Sequence, residues 1–161
     1  MTKRGAFVAA LTVAVSVLLS SCALDIPRDP NGTLDRVRGG ILRVAVSHNP
    51  PFTDALGEGD PTGTEVEIVR AFAEKLDAAV EFTLGGEESL VEDMHLGKHD
   101  LLIGGLTDKS PWFDKVALTG PYLTVDDPEG TERNIVMAVP LGENDLLFEL
   151  EDFLQRSKAT G

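Results

Sequence analysis

After residue 40, segments with the hydrophobic pattern of strands alternate along the chain with segments that have the pattern of amphipathic helices. Three short runs rich in β-branched residues are bounded by Gly, Pro or Asn, as strands are: 41–47, 79–84 and 101–105. Between them, apolar residues recur at helical spacing: Val66, Val69, Phe72, Ala73 and Leu76, then Leu90, Val91 and Met94. Two overlapping Thr-x-x-Glu patterns, ending at Glu65 and Glu67, predict a capping box at the first helix.

This order of strand, helix, strand, helix, strand predicts an α/β fold with an open sheet of three βα-linked strands. The remaining chain predicts a C-terminal hairpin and helix, from extended pieces at 116–118, 122–125 and 134–139 and an apolar helical pattern at 146–158. An acidic, Pro- and Gly-containing turn at 126–130 separates the hairpin strands. Ligands of open α/β sheets bind at the carboxyl ends of the strands, here 47–48, 84–86 and 104–107.

The N-terminal segment has the pattern of an export signal. Lys3 and Arg4 precede an apolar run at 6–19 that is short for a membrane span. The following LSSC at 19–22 resembles the lipobox of bacterial lipoproteins, which implies cleavage before Cys22 and its lipidation. The alternative is an ordinary secretory signal with an incidental Cys. We therefore expect a lipoprotein signal peptide at 1–21, a lipid-anchored tether at 22–40 and a folded lobe at 41–161, on the outer face of the cytoplasmic membrane or in the periplasm.

Composition and charge exclude several classes of protein function. The 161 residues include 14 basic and 27 acidic ones, a net charge of −13. Beyond residue 21 there are 12 basic against 27 acidic residues, net −15, which argues against nucleic-acid binding. The single Cys excludes a disulfide framework and a zinc-finger cluster. His95 and His99 are separated by Gly97 and no third metal ligand is evident, so we expect neither metal nor cofactor.

No nucleophile triad, P-loop or dinucleotide fingerprint is present, and we expect no enzyme activity.

Several segments in order resemble the family 3 extracellular solute-binding proteins, the polar amino-acid receptors of ABC importers. They are GILRVAV at 40–46, PF at 51–52, GTEVEIV at 63–69, AFAEKL at 71–76, GKHDLLIGG at 97–105 and PY at 121–122. The resemblance implies a type II periplasmic binding protein fold, in which two lobes close on a ligand. Only first-lobe segments are present here, because a short stretch around 126–133 replaces the second lobe. The chain thus resembles a single first lobe.

The resemblance also implies a ligand pocket on this lobe. The matching positions are Ser47 or His48 after the first strand, Thr64 where the family has an aromatic residue, Gly104, Gly105 and Thr107 after the third strand, and Trp112. The family carries an Arg at the last position, where it grips the ligand α-carboxylate. Trp has one donor and no charge, so it cannot form that bidentate pair.

Two functions remain open. The first is a lipid-anchored solute-binding protein that associates with transport or sensing of a small polar solute. The second is a degenerate lobe that docks on a membrane transporter or another membrane protein. Trp112 and Phe113 could stack on a ligand, meet a partner or cover the sheet edge left by the missing lobe.

Overall fold

The computed structural model describes residues 29–126 and 130–160, the last three without their side chains. It contains four helices and six strands within those residues. Their bounds are α1 Thr33–Val37, β1 Ile41–Ser47, α2 Thr64–Lys75, β2 Ala79–Gly85, α3 Glu87–His95, β3 Leu101–Thr107, β4 Val116–Leu118, β5 Leu123–Asp126, β6 Glu132–Pro140 and α4 Asn144–Thr160.

The strands form one mixed sheet in the order β2-β1-β3-β6-β4. β1 is parallel to both β2 and β3, as the two βα connections require. β6 runs antiparallel to β3 and forms the expected hairpin with β5. Strands β4 and β5 follow each other along the outer edge of β6, opposite β3. The predicted open α/β sheet with a C-terminal hairpin and helix is confirmed.

Both faces of the sheet are covered. On one face the core includes Val66, Phe72 and Leu150 from α2 and α4, and Phe72 meets Phe153 with ring centroids 5.4 Å apart. On the other face α3 packs Leu90 against the sheet. Residues 101–106 of β3 are therefore buried on both sides, which explains why that strand is continuously apolar. Burial of each large apolar side chain stabilises the lobe by about 1.5–3 kcal/mol.

Residues 29–40, which the sequence analysis assigns to a tether, pack on the lobe. Val37 is fully buried and Leu34 nearly so. The buried Glu143 carboxylate accepts hydrogen bonds from the backbone N–H groups of Asn31 and Thr33 at 3.3 Å and from the Asn31 amide at 2.7 Å. The lobe thus starts before Ile41. A helix as short as α1 offers too few turns for a periodic signal, and Pro30, Gly39 and Gly40 make the segment resemble a linker.

The proposed signal, Cys22 and the first part of the tether lie outside the described residues. Within the described part, none of the helices has the length and apolar character needed to cross a bilayer. A fragment that starts at Ala23 retains every helix, strand and hydrophobic cluster that the structure describes.

Candidate functional site

The carboxyl ends of β1, β2 and β3 meet at one edge of the sheet. Ser47 pairs with Gly85 at the ends of β1 and β2, and Val46 pairs with Ile103 one residue before the Gly104-Gly105 step. We call this edge, with the loops that follow the three strands and the start of α2, the rim. It is where the fold predicts a ligand.

The Gly104-Gly105 step shapes the middle of the rim. Both residues have positive φ angles, 155° and 63°, and the β3–β6 register shifts between Leu102 and Leu106. A Cβ atom at Gly104 would lie 2.8 Å from the Ser47 Cβ, and one at Gly105 would lie 2.5 Å from the Phe52 ring. Only glycine lets the β3 backbone approach the loop after β1 this closely.

Glu65 holds this bulge from inside the lobe. Its side chain is fully buried, and Oε2 accepts hydrogen bonds from the N–H groups of Gly104 and Gly105, both at 2.8 Å. Oε1 accepts the Tyr122 hydroxyl at 2.6 Å. Burial raises the pKa of Glu65, while its three hydrogen bonds oppose the rise. Burial and the Glu65 carboxylate likewise raise the pKa of Tyr122.

The capping-box prediction for Glu65 is wrong. The residue before α2 is Gly63, and no side chain caps the helix. Thr62 instead bridges to Asp54, and Glu65 points inward. The inward direction of Glu65 could have been predicted from helical spacing. Glu65 lies four residues before Val69 and seven before Phe72, so it belongs to the buried stripe of α2.

The loop after β1 is held against the rim. The Asn49 amide donates to the Gly104 carbonyl at 2.8 Å, and the Thr53 hydroxyl donates to the Ser47 carbonyl. Phe52 is only 5% exposed and packs in the main core rather than facing solvent. These bonds tie the loop after β1 to β3 and to the end of β1.

The predicted site residues of this corner face the rim in different ways. His48 Nδ1 accepts the Ala55 N–H at 3.1 Å and lies 3.5 Å from Asp54 Oδ1. Because Nδ1 is an acceptor, the neutral ring carries its hydrogen on Nε2, which can donate to a ligand. Thr64 is exposed at the first residue of α2, and Ser47 is half-buried at the end of β1.

Gly104 and Gly105 contribute shape rather than donors, because both N–H groups already bind Glu65. Thr107 lies half-buried at the end of β3, beside a polar cluster in which Asn134 donates to Asp108 at 2.9 Å. The hydroxyl of Thr107 is thus the side-chain group that β3 offers at the rim.

Trp112 belongs to the α3 side of the rim. Its Nε1–H donates to Glu87 Oε1 at 2.5 Å, and its ring packs at the edge of the second hydrophobic cluster. The Lys115 ammonium lies 5.5 Å from the ring centroid. The one hydrogen-bond donor of Trp112 is therefore already used, whereas Phe113 is 71% exposed.

The structure thus brings Ser47, Gly104 and Gly105 together around Glu65, with Thr64 on the adjoining turn, and puts Trp112 against α3. Among residues 29–126 and 130–160, no group of three or more His, Cys, Asp or Glu side chains could hold a metal ion.

Comparison with known proteins agrees with this geometry. The sequence model of the bacterial extracellular solute-binding proteins, family 3, matches residues 42–161. The chain belongs to this family. The matched residues correspond to a single lobe, because they superpose on 98% of an isolated domain 1 of the same fold.

Solved structures share the same architecture. The arginine-bound form of domain 1 from TmArgBP is 24% identical, with a TM-score of 0.65 over 76% of this chain and 97% of that domain. An ancestral cationic amino acid solute-binding protein, AncCDT-1, is 18% identical, with a TM-score of 0.69 over 80% of this chain and 95% of that one. At these identities the likeness shows the fold alone.

Curated relatives are larger proteins. The membrane-bound lytic murein transglycosylase F of Vibrio cholerae is 32% identical over 95 residues, 58% of this chain and 17% of the relative. The protein of the same name in Aliivibrio fischeri is 31% identical over 78 residues, 48% of this chain and 16% of the relative. The family 3 lobe therefore matches only about a sixth of their length.

Proposed function

We propose that this family 3 lobe is anchored outside the cytoplasmic membrane by a lipid on Cys22 and binds a small polar solute at the rim, in transport or sensing. The observation that carries the proposal is the buried Glu65, which holds the Gly104-Gly105 bulge against the loop after β1. A buried carboxylate is costly, and here it serves to shape the strand ends where α/β folds bind ligands.

The rim offers neutral polar groups. They are the hydroxyls of Ser47, Thr64 and Thr107 and the Nε2–H of His48. Trp112 replaces the guanidinium expected from the family resemblance, so recognition would rest on single hydrogen bonds rather than a bidentate ion pair. This set of groups suits a small polar solute and does not require an α-carboxylate.

A single lobe covers only one side of a bound ligand and leaves the other side in solvent. We therefore expect weak affinity unless a partner protein covers the exposed side of the ligand. The neighbour from TmArgBP supports binding by a single lobe, since its domain 1 alone is described as arginine-bound. Catalysis is not part of this proposal, although the curated relatives are named as transglycosylases.

Thermal shift of a fragment starting at Ala23, measured against amino acids and other small polar solutes, tests solute binding. A ligand at a hundred times its dissociation constant raises stability by about 2.7 kcal/mol. Thr64→Arg should abolish the shift by filling the rim. Ala71→Arg, which adds the same group at an exposed position of α2, should retain it. If no solute raises the midpoint, or Thr64→Arg responds as fully as Ala71→Arg, solute binding at the rim is refuted.

The anchor needs a separate test. Labelling cells with radioactive fatty acid should mark the wild-type protein and leave Cys22→Ala unlabelled, because the lipobox resemblance assigns the acyl chains to that residue. The seven residues from Cys22 to Asp29 span at most about 25 Å, a spacer that clears the headgroups. Equal labelling of both proteins would refute lipidation at Cys22.

A docking module is the second candidate, favoured by one feature. Phe113 is 71% exposed, and Leu123 on the edge strand β5 is 40% exposed. An exposed aromatic side chain and an unpaired strand edge are both features that a protein partner could cover. Co-purification of a membrane protein that depends on Phe113, with no solute-induced thermal shift, would favour this candidate over solute binding.

A further inference from the structure

A cavity of about 650 Å³ opens at the end of the sheet opposite the rim. It lies where β1 and β3 begin and β6 ends, because Arg43, Asp100 and Pro140 line it. Asn31 and Thr33, where the chain enters the lobe, complete one side. We call this the basal cavity. No residue of the rim contributes to its wall.

The wall is cationic in a strongly acidic chain. Arg36, Arg43 and Lys115 face a single carboxylate, Asp100, so the formal charge of the wall is +2 with neutral histidines, whereas the chain carries −13. Asp100 is buried and shared by both guanidinium groups: Oδ1 accepts from Arg36 Nη2 at 2.5 Å and from Arg43 Nη2 at 2.6 Å. The ion pairs therefore leave a surplus of positive charge at the cavity.

Polar groups of the wall lack partners among the described residues. His99 lines the cavity at 5% exposure, and neither of its ring nitrogens has a hydrogen-bond partner. A buried donor without a partner costs about 1–3 kcal/mol. Lys115 is exposed and forms no ion pair with any described residue, and its ammonium lies 5.5 Å from the Trp112 ring centroid. A bound anion in the cavity would supply a partner to the Lys115 ammonium.

We propose that the basal cavity binds an oxyanion of the phosphate class, at a site separate from the rim. Lys115 supplies a point charge, and Arg36 supplies the guanidinium hydrogens that neither Asp100 nor the Ile41 carbonyl accepts. The phosphate could be a soluble anion or a lipid headgroup. Asn31 is nine residues after Cys22, within about 30 Å of the proposed anchor.

Trp112 is the sole Trp of the chain, and the Lys115 ammonium lies 5.5 Å from its ring centroid. Its fluorescence should therefore change when an anion binds Lys115. Full-length protein in neutral detergent micelles is titrated with inorganic phosphate at constant ionic strength and followed by Trp fluorescence and by heat. A second arm adds phosphatidylglycerol or phosphatidylcholine to the micelles. Lys115→Met removes one charge of the wall, and Lys109→Met, on an exposed residue outside the cavity, is the matched control.

We expect saturable binding that Lys115→Met weakens about tenfold and Lys109→Met leaves unchanged. If inorganic phosphate binds with a lower dissociation constant than either lipid, the ligand is a soluble anion. If phosphatidylglycerol binds more tightly than phosphatidylcholine and than phosphate, the ligand is a lipid headgroup. The inference is overturned if neither arm saturates, or if both variants bind as the wild type does. A rim that binds no solute leaves this result unaffected, because the two sites share no residue.

Discussion

Removing the Glu65 carboxylate should destabilise the lobe strongly. Glu65→Ala leaves three buried donors without an acceptor, the N–H groups of Gly104 and Gly105 and the Tyr122 hydroxyl. Each unpaired donor costs about 1–3 kcal/mol, and relief of the buried charge offsets part of the sum. We expect a net loss of about 3–5 kcal/mol, as for other broken buried polar pairs.

Two further variants separate hydrogen bonding from charge. Glu65→Gln keeps an acceptor for both glycine N–H groups and should cost about 1 kcal/mol or less at neutral pH. Tyr122→Phe removes one donor and leaves Oε1 unpaired, so we expect a loss of about 1–3 kcal/mol. Glu67→Gln, on an exposed residue in the same first turn of α2, is the matched control and should change stability by less than about 0.5 kcal/mol.

The assay is urea unfolding of the fragment starting at Ala23, followed by circular dichroism at several pH values. Because the folded-state pKa of Glu65 is raised, its protonated form stabilises the lobe at low pH, and that contribution is lost as pH rises through the folded pKa. The stability advantage of the wild type over Glu65→Gln should therefore shrink as pH rises. Equal stability of Glu65→Ala and Glu67→Gln would refute the role assigned to Glu65.

Two other predictions concern the N-terminal contact and the bulge. Burial and a hydrogen bond with Glu143 raise the pKa of Asp29 to about 6, so protonated Asp29 stabilises the fold below about pH 4 and this is lost as pH rises through 6. Urea unfolding should show the wild type losing about 1–2 kcal/mol between about pH 4 and 7 relative to Asp29→Asn, and parallel curves would contradict this. Gly105→Ala should cost about 2–4 kcal/mol, since its Cβ would lie 2.5 Å from Phe52. Gly32→Ala, which has a similar φ of 61° and no neighbour within 4 Å, should cost only about 1 kcal/mol; equal losses would refute the steric argument.

The regular elements of the lobe were predictable because each is long enough to show its period. The apolar stripe of α2 and the continuous apolar run of β3 appear in the sequence as they lie in the fold. The hairpin of β5 and β6 followed from the turn residues at 126–130. Segments with only one or two buried residues gave a weaker signal, and the segment of α1, with Leu34 and Val37, was assigned to the tether for that reason.

The candidate site was predictable in position and only partly in chemistry. Sheet topology places Ser47 and Gly104 at the same edge whatever residue stands at either position. The direction of a side chain depends on contacts far apart in the chain. Glu65 matched a local capping pattern. Its carboxylate instead points into the lobe, where it accepts hydrogen bonds from the N–H groups of Gly104 and Gly105 on β3 and from the Tyr122 hydroxyl just before β5. Trp112 matched a ligand-contacting position, yet its indole bonds to Glu87 on α3.

The central claim is that this single family 3 lobe holds a small polar solute at its rim. Amide chemical shifts of the isotope-labelled fragment starting at Ala23, followed during titration with amino acids and other small polar solutes, test it most directly. The account predicts saturable changes clustered at Ser47, His48, Thr64 and Thr107, and none at the basal cavity. Saturation without change at those four residues, or no saturation with any solute, would contradict it.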